Sequence, residues 1–172
     1  MTVVAIYDLH GNLPALNAVL AEIEPLGVDR IVIGGDVAFG PLVFPRSDEE
    51  ILTSVTSEER LRRILSAVTQ KTVICGHTHV QFDRRAGDTR VVNAGSVGMP
   101  YDEPGAYWAL LGPTIELRRT LYDRDQASTM FLTSGHPLIE TFLQNLEHPT
   151  SADEATAFFE KMAVRKDQDG NG

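Results

Sequence analysis

The sequence predicts an α/β domain, and three observations carry that reading. Two short, β-branched apolar runs flank an amphipathic helical pattern within the first 35 residues. Later strand-like runs follow one another without intervening helices. Polar clusters stand where the apolar runs end. The length of 172 residues suits one domain, expected over residues 1–165, with a polar disordered tail over 166–172.

The first run, Val3 to Tyr7, reads as a buried strand. A helix follows it. Asn12 is a good N-cap and Pro14 falls in the first turn, where proline is tolerated. Leu13, Leu16, Leu20 and Ile23 recur at spacings of three and four and predict one apolar stripe; Pro25 and Gly27 end the helix. Ile31-Val32-Ile33 predicts a second buried strand, stopped by Gly34-Gly35, so the opening segment reads as a βαβ unit with a parallel pair. Gly40-Pro41 and Phe44-Pro45 are breaker signals. A helix from Ser57 through Val68 follows, with Leu61, Ile64, Leu65 and Val68 on one side. Val73-Ile74-Cys75 predicts a third buried strand, in which Cys75 packs as a small hydrophobe. Val80 to Arg84, Arg90 to Asn93, Tyr107 to Leu111 and Ile115 to Tyr122 predict strands that pair as antiparallel hairpins. Helical patterns dominate from Asp125, with Pro137 and Pro149 near helix starts.

Composition narrows the function. With 15 Lys+Arg against 24 Asp+Glu the formal charge is -9, which argues against holding nucleic acid or an anionic membrane by bulk charge and allows bound divalent cations. One cysteine excludes an internal disulfide framework. No apolar run reaches the ~18 residues of a membrane span, and the start Met1-Thr2-Val3-Val4 lacks the basic region of a secretory signal, so the expected location is the cytoplasm.

The chemistry concentrates in Asp8-Leu9-His10-Gly11-Asn12, Gly34-Gly35-Asp36 and Gly76-His77-Thr78-His79, each at the C-terminal end of a predicted strand, where open α/β sheets bind ligands. Asp8 and His10 are two apart, as are His77 and His79, so in extended backbone each pair faces one way. Each cluster alone also reads as caps and turn groups. Together they form a mixed nitrogen and oxygen donor set suited to metal. His136 and His148 read as surface or capping residues. Asp167-Gln168-Asp169-Gly170 resembles a calcium loop, but its glycine falls too early and the sequence ends before a bidentate glutamate.

Asp8-x-His10-Gly11-Asn12, Gly35-Asp36, Gly76-His77-Thr78-His79 and Asn93-Ala94-Gly95-Ser96-Val97-Gly98 together resemble the calcineurin-like metallophosphoesterases, and most of all their small bacterial phosphodiesterases. The resemblance runs from Val3 to about Tyr122. It implies an αββα sandwich followed by C-terminal helices, a divalent transition metal (Mn, Fe, Ni or Zn), and hydrolysis of a phosphomonoester or phosphodiester by a metal-bound hydroxide. By that resemblance Asp8, His10 and His79 hold one metal, Asp36 bridges to a second, and His77 serves the second. It also implies a small phosphate ester as partner, with Asn12, Gly95 and Ser96 near the phosphate.

Two family motifs are missing. One supplies an asparagine ligand and the histidine that protonates the leaving group; the other supplies a second-metal histidine. The 40 residues between Asp36 and His77 contain no asparagine and no histidine. Gly35-Asp36-Val37-Ala38-Phe39-Gly40-Pro41 resembles the start of one family loop. Pro45-Arg46-Ser47-Asp48-Glu49-Glu50-Ile51 resembles the segment after the lost histidine motif, with Val43-Phe44 at the join. The sequence therefore reads as a family member with an internal block deleted. The bared sheet edge then needs a neighbouring segment, a second chain in a homo-oligomer, or a rearrangement. One tight metal site and one weak one are expected, with impaired catalysis and no usual general-acid histidine. The alternative is a non-catalytic metal-binding or interaction domain on the same scaffold.

Overall fold

β1 (Val3–Tyr7) organises the first sheet. Its Val4, Ala5 and Ile6 are buried, and it pairs in parallel with β2 (Arg30–Gly34) on one side and antiparallel with β6 (Ala106–Leu111) on the other. β7 (Ile115–Thr120) pairs antiparallel with β6 and completes the order β2-β1-β6-β7. The second sheet has the order β3-β5-β4, with β3 (Thr72–Cys75) parallel to β5 (Thr89–Asn93) and β4 (Phe82–Ala86) antiparallel to it. This computed structural model describes residues 1–37, 50–135 and 139–169. The breaker signals at 40–41 and 44–45, the join at Val43-Phe44, His136 and Pro137 lie outside the described residues.

Three apolar clusters show the layering. α1 (Leu13–Ile23) packs Ala15, Val19 and Ile23 against Val4, Ile6 and Trp108 of the first sheet. Ala5 and Ala109 meet Ala94 between the sheets, with Ile74 packed against them, and the three alanines leave room for the two backbones to come close. α2 (Glu58–Ile64) packs Leu61 against Phe82 and Val91 of the second sheet. The order helix, sheet, sheet, helix is the expected αββα sandwich.

The Asn12 cap forms as read, and Ser57, read as the first residue of the next helix, is its N-cap. The Asn12 side chain accepts from the Ala15 amide at 3.1 Å, and the Ser57 hydroxyl accepts from the Arg60 amide at 3.2 Å. Such caps are worth about 1 kcal/mol each. α3 (Arg124–Thr133), α4 (Ile139–Glu147) and α5 (Ala152–Asp169) close the fold. α3 and α4 share a core of Phe131, Phe142 and Leu146 with Met99. α5 packs Phe159 and Ala163 on Ile51, and its Glu160 accepts from the hydroxyls of Thr53 and Thr56 at 2.5 and 2.6 Å. No helix of the described residues is long and apolar enough to cross a membrane.

Four expectations need correction. The buried face of α1 is Ala15, Val19 and Ile23, whereas Leu13 and Leu20 point outward: a stripe chosen by size picked the neighbouring face. β2 is a strand but not a buried one, because nothing among the described residues pairs with its outer edge. β3 is half-buried, as an edge strand of its sheet. Residues 166–169, expected to begin a tail, are the last turn of α5, where Asp167 pairs with Arg60 at 3.1 Å and Arg63 at 2.7 Å.

Candidate metal centre

Asp8 follows the last residue of β1, Asp36 lies just past β2, and Gly76-His77 follows β3. Each polar cluster thus sits at a strand end, as expected. Their local geometry differs from the extended backbone the two-residue spacing suggested. Asp8, His10, His77 and His79 all adopt left-handed φ angles, of 53°, 48°, 69° and 56°. Among the described non-glycine residues only Asp102 shares that region. Left-handed backbone costs an ordinary residue roughly 1–3 kcal/mol, and such strain gathers at functional sites. Here the turned backbone, not a shared strand face, aims these side chains at one point.

Asp8 is the centre of the construction. Its Oδ1 accepts from the Asp36 amide at 3.1 Å and its Oδ2 from the His77 amide at 2.7 Å. Those amides can approach because glycines precede them: a Cβ on Gly35 would lie 2.0 Å from Asp8 Oδ1, and one on Gly76 2.6 Å from Oδ2. Burial nevertheless pushes the Asp8 carboxyl above its ordinary pKa. A buried carboxylate of this kind favours a nearby cation.

His10 and His79 supply the rest of the site. Their Nε2 atoms are 3.1 Å apart, and His79 Nε2 lies 3.9 Å from Asp8 Oδ2. His79 Nδ1 donates to the Met99 carbonyl at 2.7 Å, which leaves the Nε2 lone pair facing inward. Burial lowers the pKa of both imidazoles to about 4, so both are neutral near pH 7. The ligand atoms of Asp8, His10 and His79 all lie within 4.8 Å of one another. Two metal–nitrogen bonds of ~2.05 Å at a tetrahedral angle span about 3.3 Å, close to the observed separation. The donor set and its geometry therefore fit a divalent transition metal.

The other expected ligands sit at the margin. Neither Asp36 nor His77 belongs to the cluster formed by Asp8, His10 and His79. Asp36 is exposed. His77 Nε2 is buried without a hydrogen-bond partner. Asn12, Gly95 and Ser96, expected near a phosphate, all make hydrogen bonds within the fold. The Asn12 side chain donates to the Gly98 carbonyl and Tyr122 hydroxyl besides capping α1. The Gly95 amide donates to Asn93 Oδ1. The buried Ser96 hydroxyl donates to the Asp8 carbonyl and accepts from the Met99 amide. His148 is exposed, as read. Cys75 packs with the second-sheet core, and burial pushes its thiol up to about 12.

Three aromatic residues that sequence reasoning missed surround the cluster. Tyr101 stacks on His79 at 5.5 Å, Phe142 of α4 lies 6.1 Å from His10, and Phe159 of α5 lies 5.7 Å from His77, measured between ring centroids. They come from a loop and two later helices, and no local spacing marks them. Asp8, His10 and His79 are left 1%, 9% and 7% exposed.

The architecture is that of known phosphoesterases. A metallophosphoesterase from Sphaerobacter thermophilus superposes with a TM-score of 0.63 at 18% identity, over 86% of this chain and 99% of the other. A hypothetical protein from Pyrococcus horikoshii gives 0.69 at 14% identity, over 84% and 97%. An archaeal phosphodiesterase gives 0.50 at 16% identity, over 69% and 99%. At these identities the likeness establishes the fold. No curated protein matches at a significant level. Residues 46–113 match the calcineurin-like phosphoesterase superfamily domain. The matched segment carries His77 and His79 and the Asn93–Gly98 turn. Asp8 and His10 lie outside it, and the fold brings them onto His79. The better-built part of the candidate metal centre is thus assembled from the ends of β1 and β3, one in each sheet.

Proposed function

We propose that this protein is a metal-dependent phosphoesterase of reduced competence, which holds one divalent metal at Asp8, His10 and His79 and cleaves phosphate esters with good leaving groups. The observation that carries this reading is the convergence of those three ligand atoms at the joined ends of the two sheets. A bound metal would supply Lewis-acid polarisation of the phosphoryl group and activation of water. The chain's own residues provide the frame. The amides of Asp36 and His77 orient the Asp8 carboxylate. The Met99 carbonyl holds the His79 proton on Nδ1. The aromatic wall excludes bulk water, which strengthens the electrostatics within. Protonation of a departing alkoxide lacks its usual donor, since no histidine lies between Asp36 and His77. General-acid help is typically worth 10²–10⁴-fold, and a nitrophenolate needs little of it.

Manganese is the metal we assign for activity, and the cytoplasm the compartment. The test is turnover of bis(4-nitrophenyl) phosphate with added Mn²⁺, beside an unactivated dialkyl phosphate. Slow cleavage of the first and little of the second is expected, with none in Asp8→Asn. Equal background rates in wild type and Asp8→Asn would defeat the reading.

A second reading is favoured by the depth of the ligands and their aromatic cover: a metal-binding domain that does no catalysis. Phe159→Ala separates the two. Under the catalytic reading, opening the wall raises turnover of a bulky substrate; under the second it changes nothing.

A further inference from the structure

We propose that the outer edge of β2 is a self-association surface, on which a second copy of this chain adds its own β2 in antiparallel register. β2 is the outermost strand of its sheet and pairs only with β1 among the described residues. Its Ile31, Val32 and Ile33 are 41%, 47% and 52% exposed. Edge strands usually carry a lysine, a proline or a bulge that blocks pairing. The sequence Arg30-Ile31-Val32-Ile33-Gly34 has none of these; it reads like a strand buried on both faces.

Among the described residues nothing covers either face of the edge. Ile31 and Ile33 pair with Val4 and Ile6, whose side chains pack under α1, so they share that face. Val32 pairs with Ala5, which lies between the sheets, so it takes the opposite face. A helix or a small ligand could cover one face only. A strand covers both faces and also satisfies the free backbone groups.

The backbone fixes the register. The Gly34 carbonyl accepts from the Asp8 amide and so points toward β1. By alternation, the amides and carbonyls of Ile31 and Ile33 point outward. A two-fold axis at Val32 sets Ile31 opposite Ile33 of the second copy. That is the antiparallel hydrogen-bonded pair the outward groups require. Arg30 then faces Gly34, so no like charges oppose each other. Asp29, just before the strand, already accepts from the Thr2 amide at 2.6 Å.

The area suffices. Leu20, Leu26, Ile31, Val32, Ile33 and Val37 are all exposed, and Leu20 and Ile31 line one groove. Together they show roughly 500 Å² of apolar surface, near the upper range for a monomer. Two copies would bury about 1,000 Å², the threshold for a specific interface.

Sedimentation equilibrium of the full chain across a range of concentrations tests this. A species of twice the 18.9 kDa chain mass is expected. Ile33→Pro removes one outward amide without touching the β1 ladder and should give a monomer; Ile31→Lys should do the same by charge. Both variants should keep the wild-type circular dichroism spectrum, and Phe158→Ser, at an exposed site on α5, should leave the dimer intact. A wild-type monomer at every concentration would overturn the proposal, including one in which slow hydrogen exchange shows β2 covered by the chain's own residues. So would a dimer that survives both β2 substitutions in folded protein.

Discussion

β1 and β2 lie side by side in one parallel pair, are both five residues long, and are built from the same kinds of side chain. Yet Val4 and Ile6 are fully buried while their partners Ile31 and Ile33 are half exposed. β1 has a strand on each side and α1 across its face; among the described residues β2 has a neighbour on one side only. Composition specifies that a segment will be a strand, but burial belongs to what lies beside it. The candidate metal centre repeats the contrast. Asp8, at the end of β1, is enclosed by two amides, two imidazoles and an aromatic wall, whereas Asp36, past the end of β2, is exposed.

The sharpest way to break that comparison is to disarm the enclosed half. Asp8→Asn should abolish Mn²⁺-dependent turnover and reduce metal retention by about 100-fold or more, because it removes the buried charge that favours the cation. His79→Ala should cost at least the roughly 10–100-fold in metal affinity that losing an outer-shell partner of a ligand costs, and His77→Ala clearly less. Metal content after dialysis checks both, and equal losses would mean that the enclosed half is not the tighter one.

The next effect is on stability and compares the two strands directly. Ile6→Ala should cost about 2–5 kcal/mol, as a truncation in a packed core does. Ile33→Ala, in chain diluted to the monomer, should cost within about 0.5 kcal/mol. Urea denaturation gives both numbers. Similar losses would show that β2 is covered in solution even without a second copy.

A smaller effect comes from pH. In metal-free protein the folded imidazoles of His10 and His79 take protons near 4, whereas in the unfolded chain they do so near 6.5. Between those values the unfolded state binds more protons. The stability of keeping both rings neutral is therefore complete above pH 6.5 and is lost as pH falls toward 4. Asp8, whose folded pKa is raised, works with the opposite sign from its ordinary value upward. Asp8→Asn should accordingly steepen the loss between pH 6.5 and 4. A slope unchanged from wild type in that variant would contradict the raised pKa of Asp8, and a flat or reversed slope the burial of these rings.

Much of this organisation was legible in the sequence. Asn12 announced its helix because a cap is a local pairing of one side chain with one amide. The strand ends bearing Asp8, Asp36 and His77 were placed correctly because periodicity and glycine mark them. The manner of convergence was not legible. Left-handed backbone at Asp8, His10, His77 and His79 depends on contacts that form only when two sheets meet. The aromatic wall was hidden for the same reason: Tyr101, Phe142 and Phe159 approach the ligands only through the packing of α4 and α5. The bracing role of Ser96 was not legible either: its hydroxyl bridges the Asp8 carbonyl and the Met99 amide and so braces the loops that carry the candidate ligands.

The most direct test of the enclosed half against the exposed half is metal stoichiometry. Purified protein loaded with Mn²⁺ or Zn²⁺ and dialysed exhaustively should retain about one ion per chain by elemental analysis, since a four-coordinate metal is commonly held by three protein ligands and a water and only Asp8, His10 and His79 form such a set among the described residues. Asp8→Asn should retain almost none. Two tightly held ions per wild-type chain would contradict the account, because they would show that Asp36 and His77 complete a second site as firm as the first.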